Sequence, residues 1–231
     1  MHRPFLVLLS VLVVPTLAHA QSIDASGHWE GSVQLPAMEV AFQVDFERTA
    51  TGAVAGTISI PTQHLSGLPL TAVTLEGNTI TFGARSDQVM TGVVSADRRS
   101  ISGDYGMPGL SARFTLTRTG EPNVTLPPKS AAIPVNLEGR WAGTLDVDGG
   151  LHLVLTLANE ASGASRGQIV NLDEGGVTLP LRIATDGRSV TLTSSATPGS
   201  FTGTLSTDGS EIAGVYQQDG LTVPLTFTRA R

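Results

Sequence analysis

Three histidines lie beyond the first twenty residues of this 231-residue chain, His28, His64 and His152, and acid–base or metal chemistry would have to start from them. A zinc centre needs three or four ligands at tight geometry. Neither H-x-H nor H-E-x-x-H occurs, and with no cysteine there is no thiolate ligand and no thiol nucleophile. A serine hydrolase needs a nucleophile elbow, G-x-S-x-G. The nearest strings, ASGAS at 161–165 and GLSAR at 109–113, do not fit it. Lys129 is the only lysine and Leu126 stands three before it, so S-x-x-K is not formed. DVDGG at 146–150 begins like a calcium loop, but Leu157 falls where the bidentate Glu should be. The expectation is a protein without a catalytic constellation, a metal or a cofactor. His28 and His152 alternate out of apolar strand faces and read as solvent-facing. His64, in the loop PTQHLSG, and Asp173 and Glu174, in the matching loop 111 residues later, remain as loop candidates for ligand binding.

What positions these loops is a repeat. GHWEGSV at 27–33 returns as GRWAGTL at 139–145 and uses both tryptophans of the chain, Trp29 and Trp141. The register then holds at an offset of 111: Gly56 with Gly167, Leu68-Pro69-Leu70 with Leu179-Pro180-Leu181, Gly103 with Gly214, Tyr105 with Tyr216. Repeats of 20–50 residues build solenoids, whereas this period implies two whole domains. The boundaries read are 23–120 and 135–231, joined by a Pro-rich linker at 121–134.

Each unit reads as all-β, with eight short alternating runs separated by turn signals such as EGN, TDGRS and QDGL. In the last run one face carries Leu221, Val223, Leu225, Phe227 and Arg229, matched by Leu110, Ala112, Phe114, Leu116 and Arg118. Period two assigns that face to the interior. The first run places Trp29, Gly31 and Val33, then Trp141, Gly143 and Leu145, on a like face. If the sheet closes, first and last strands become neighbours, and each Trp meets the Arg at the end of the last strand. The fold class expected is two tandem eight-stranded antiparallel up-and-down β-barrels. Each Arg stacks on its Trp at one barrel end, and the glycine two residues after Trp allows close backbone approach.

Gly-x-Trp on the first strand with a basic residue of the last strand packed across it resembles the structural signature of the calycin superfamily, which holds lipocalins, fatty-acid-binding proteins and avidins. The residues that carry it are Gly27, Trp29 and Arg118, then Gly139, Trp141 and Arg229. Each copy also resembles a bacterial lipocalin-like domain found before secreted α/β-hydrolases. Phe201, Gly203, Leu205, Asp208, Gly209, Pro224, Leu225 and Arg229 of the second copy match its pattern, and the first copy departs from it at Met90 and at Ala112-Arg113-Phe114. The resemblance implies a barrel fold and carries over no catalytic residue.

Residues 1–20 have a basic start, an apolar run from Phe5 to Val14 and the small-x-small end Ala18-His19-Ala20. They read as a secretory signal cleaved near Ala20, which places the protein in the periplasm or outside the cell. The remainder carries 13 basic and 20 acidic side chains and no basic stripe, which argues against nucleic acid. No stretch beyond residue 20 is long enough for a membrane helix, and the short strands with Thr- and Ser-rich outward faces argue against an outer-membrane barrel. The function expected is non-catalytic binding of a small hydrophobic ligand inside a barrel. The alternative is a structural or interaction module with filled barrels, the protein partner of a separate secreted hydrolase.

Overall fold

A computed structural model describes residues 23–85, 87–126, 129–147, 149–173 and 177–230. The expected signal segment, and Glu174 with it, lie outside the described residues.

The chain forms two nine-stranded sheets that share no strand. The first holds β1 (Gly27–Gln34), β2 (Glu39–Arg48), β3 (Val54–Ile60), β4 (Leu65–Pro69), β5 (Ala72–Glu76), β6 (Thr79–Gly83), β7 (Val89–Val94), β8 (Ser100–Met107) and β9 (Leu110–Gly120). The second holds β10 (Ser130–Ala131), β11 (Gly139–Leu145), β12 (Leu151–Asn159), β13 (Ala164–Asn171), β14 (Thr178–Asp186), β15 (Ser189–Ser194), β16 (Ser200–Leu205), β17 (Glu211–Gln218) and β18 (Leu221–Arg229). All pairings are antiparallel and run between chain neighbours, except that the first long strand of each unit also pairs with the last and that β10 joins β13.

The second unit is a closed eight-stranded barrel, because β14 pairs with β13 over Thr178–Leu181 and with β15 over Leu181–Asp186. The first unit departs from the expected eight strands. The segment matching β14 is broken into β4 and β5, which lie at opposite edges of a curled sheet. Leu70 donates its N–H to Gly56 O and Thr71 to Gly83 O, both at 2.9 Å, so the chain crosses from β3 to β6 at the break. The register slips between Ile58 and Ile60, and Gly67 takes a left-handed φ of +61°, which turns β4 off a straight course.

Alternation fixes the interior. Trp29, Val33, Phe42, Val44, Phe46, Phe114 and Leu116 are buried in the first unit, and Trp141, Leu145, Leu155, Leu157, Leu225 and Phe227 in the second. Gly31 permits the contact between β1 and β9, since a Cβ there would stand 1.9 Å from Thr115 O.

The expected linker is not a free spacer. Asn123 donates its N–H to Asp45 Oδ1 of the first unit at 2.9 Å. Ser130 pairs with Ser165 as part of β10, accepts the Ile183 N–H on Oγ at 2.8 Å, and is buried. Ile133 is buried too, and its N–H and C=O both bond to the Asn159 side chain at 2.9 Å. Residues 129–134 therefore belong to the second barrel rather than to a linker, because their polar groups complete hydrogen bonds that its strands leave open.

The two units touch. Ser66 donates its N–H to Ala196 O at 2.7 Å. Ala196, 1% exposed, joins the first unit's core cluster, and Val177 and Leu179 pack against the same cluster.

Candidate functional site

The Trp–Arg end of the second barrel is built from several elements. Strand pairing sets Trp141 opposite Arg229. The guanidinium carbon lies 4.1 Å from the indole centroid. Its nitrogens donate to three carbonyls: Nε to Gly209 at 3.0 Å, Nη1 to Glu138 at 2.7 Å and Nη2 to Asn136 at 2.5 Å. The turn that offers Gly209 is held by Asp208, whose carboxyl is drawn down to about 2 by hydrogen bonds from Ser206 and Ser210. Trp141 is fully buried, and its indole N–H donates to Leu137 O at 3.2 Å. Trp29 repeats that bond to Ala25 O at 3.0 Å. The anchor four residues before each Trp was not read from the sequence.

The first unit differs at this end. Arg118 pairs in register with Trp29, but among the described residues no guanidinium–indole stack forms there. Both arginines lie against the glycine two before Trp: a Cβ at Gly27 would stand 2.5 Å from Arg118 Nε, and one at Gly139 2.7 Å from Arg229 Nη1.

The other candidates separate. His152 and Asp173 come together, Nδ1 at 3.1 Å from Oδ2, and Asp173 also accepts the His152 N–H. That backbone bond, then the ring bond, lowers the Asp173 carboxyl below its usual range. His28 is not simply solvent-facing: its Nδ1 lies 2.9 Å from Asp45 Oδ1 and its Nε2 3.2 Å from Glu30 Oε1. Burial opposes its charged form, but Asp45 and then Glu30 outweigh that, and its pKa is raised. Among the described residues no group of three or more His, Asp or Glu is placed to hold a metal ion.

His64 is placed elsewhere. A cavity of about 540 Å³ opens in the second barrel, and His64 and Gln63 of the first unit line it. Its body is aliphatic and aromatic, with Leu153, Leu181, Leu192, Leu225, Phe201 and Phe227 among the lining residues. Tyr216, Gln218 and Asp219 add polar groups. The Tyr216 hydroxyl donates to Gln218 Oε1, and burial, then the Asp219 carboxylate, push the phenol above its ordinary value. The cavity walled by the first unit's core side chains, Phe42 and Phe82 among them, is smaller, about 250 Å³.

Register explains part of the difference. Gly31 faces Phe42 where Gly143 faces Leu153, Met90 faces Phe82 where Phe201 faces Leu192, and Gly103 faces Phe114 where Gly214 faces Leu225. Gly27 likewise faces Phe46 where Gly139 faces Leu157, so all four core phenylalanines of the first unit are leucines in the second, while Met90 and Leu116 are matched there by Phe201 and Phe227. In the first, Phe46, Phe82, Phe114 and Phe42 form a chain of rings with centroids 5.1, 5.8 and 6.3 Å apart. Such pairs stabilise beyond the area they bury. In the second, Phe201 and Phe227 alone pair, at 5.2 Å. The sequence carried this signal in the phenylalanine distribution, four in the first repeat and two in the second.

No family model and no curated protein sequence matches the chain. Two solved structures align along most of it. One, from Bacteroides fragilis and provisionally assigned as an outer membrane protein, is 11% identical over 89% of this chain and 98% of that one, with a TM-score of 0.27. The other, a DUF3598-family protein of unknown function from Nostoc punctiforme, is 14% identical over 89% and 96%, with a TM-score of 0.25. At these TM-scores neither carries an argument, and the barrel architecture rests on the strand pairings above. No helix among the described residues is long and apolar enough to cross a membrane.

Proposed function

We propose that this is an exported, non-catalytic binding protein that holds one small apolar molecule in its second barrel. The observation that carries the reading is the cavity of about 540 Å³, whose body is lined by Leu, Ile, Val and Phe side chains. Small-molecule sites span about 300–1,000 Å³ with apolar walls and few polar groups, and eight-stranded barrels either fill with side chains or hold one ligand. The Trp141–Arg229 arrangement is consistent with a calycin-like barrel whose opposite end is free to bind. Export rests on the pattern of residues 1–20. The structural alternative finds its support in the first unit alone, where the phenylalanine chain leaves a cavity of about 250 Å³. In this reading the first unit is a filled support, and the second does the binding.

The test is native mass spectrometry of protein recovered from its own secretory compartment, followed by organic extraction. A stoichiometric extra mass that moves into solvent is the expected result. A bare mass, with no uptake of apolar dyes afterwards, would overturn it.

A further inference from the structure

Taking the second cavity as a binding site, we infer that the 61–66 segment of the first unit is its rim, and that Gln63 and His64 meet the uncharged hydrogen-bonding head of an amphiphile whose apolar body fills the second barrel. The argument begins with where the segment comes from. Gln63 and His64 belong to the first unit, in the turn between β3 and β4, yet both line the second unit's cavity, and Gln63 lines the smaller cavity as well. The segment is held there. Ser66 N–H bonds to Ala196 O at 2.7 Å, and Ala196, Val177 and Leu179 of the second unit pack on the first unit's core. Next to this anchor His64 takes a left-handed conformation, φ +53° and ψ +28°, which closes the short turn at Pro61–Gln63 by a bond from its N–H to Pro61 O. Few residues other than glycine occupy that region. Gln63 and His64 are both exposed, as rim residues should be rather than plugs.

The lining chemistry gives the class of head group. Among the described residues no lysine or arginine lines the second cavity, and Asp219 is the carboxylate there. An anionic head drawn in among these walls would lose water without gaining a fixed cationic partner, and burying an unpaired charge is costly. A hydroxyl, ester or amide head needs only hydrogen-bonding partners, and Gln63, His64 and Gln218 supply both donors and acceptors. The first unit's cavity differs here too, since Arg85 lines it.

The experiment displaces a neutral apolar dye, N-phenyl-1-naphthylamine, from the full chain with octan-1-ol, octanoate or octane, at about pH 8 where the free acid is ionised. The comparison protein carries Gln63→Ala and His64→Gly; glycine keeps the left-handed backbone. Octanol is expected to displace dye at about tenfold lower concentration than octanoate, a difference of about 1.4 kcal/mol. The double variant is expected to weaken octanol severalfold and leave octane unchanged. Octanoate binding as well as octanol, or a double variant that shifts octanol and octane alike or neither, would overturn the inference while leaving the cavity a binding site. Failure of all three probes and the dye to bind would overturn the binding reading, and this inference with it.

Discussion

Trp141 and Trp29 occupy equivalent positions, are both fully buried, and both donate their indole N–H to a carbonyl four residues earlier. They differ in what covers them, because Arg229 stacks on one ring and Arg118 does not stack on the other. Trp141→Ala is expected to destabilise the second barrel by about 3–5 kcal/mol, as large aromatic truncations in cores do. Arg229→Lys removes the planar fork that serves three carbonyls and is expected to cost about 1–2 kcal/mol; Arg118→Lys should stay within about 0.5 kcal/mol. Urea unfolding of the three variants checks the order, and equal costs for the two arginines would contradict it. A second residue gives a pH signature. The His28 pKa is raised by Asp45 and Glu30 against burial. The folded state therefore favours the protonated ring. Its stabilisation is full below the unfolded value of about 6.5 and is lost as pH rises through the higher folded value. The stability difference between wild type and His28→Asn, measured in urea, should shrink by about 1 kcal/mol or less from acidic to alkaline pH. A difference that is flat with pH would remove the pairing with Asp45 from the account. The Trp–Arg register was legible because inward parity repeats twice. Asp45 was not, since nothing in the spacing of His28 and Asp45 announces that β1 and β2 set them side by side.

At the scale of elements, the eight runs read in the second unit are the eight strands β11 to β18, because turn chemistry and period-two alternation agree there. The break between β4 and β5 was not legible. Around it the register slips between Ile58 and Ile60 and β4 buries Leu65 and Leu68, three residues apart, so period-two alternation does not follow the chain there. The 121–134 stretch misled for another reason. Its prolines describe a chain that forms few bonds of its own, and they say nothing of bonds received from β13, β14 and Asn159. Ser130→Ala tests this directly, since it would leave the Ile183 N–H, which bonds to Ser130 Oγ, without its partner in a buried site. A loss of about 1–3 kcal/mol in the second barrel is expected in urea unfolding. An unchanged midpoint would mean that β10 is not part of that barrel's stability.

At the scale of the whole molecule, one repeat is put to two uses in the proposed reading. The first unit places four of the six phenylalanines beyond residue 20 in its own core, and the second has leucine at all four equivalent positions, around a cavity of about 540 Å³ against about 250 Å³ within the first unit's core. The units then meet so that the 61–66 segment of the first edges the cavity of the second. The repeat showed that there are two barrel-like units, and the uneven phenylalanine distribution pointed to unequal cores, but only register paired the positions. That His64 belongs to the other barrel's mouth is a consequence of docking, which the sequence of neither unit encodes locally. The most direct measurement is an equilibrium titration of N-phenyl-1-naphthylamine into wild type and into a chain carrying Leu153→Phe and Leu192→Phe, which places phenylalanine at two of the four positions where the first unit has it. One dye per wild-type chain is expected, with affinity about tenfold or more lower in the variant while the variant remains folded by circular dichroism. Unchanged affinity and stoichiometry in the folded variant would contradict the account, because the dye would then be bound somewhere other than the second barrel.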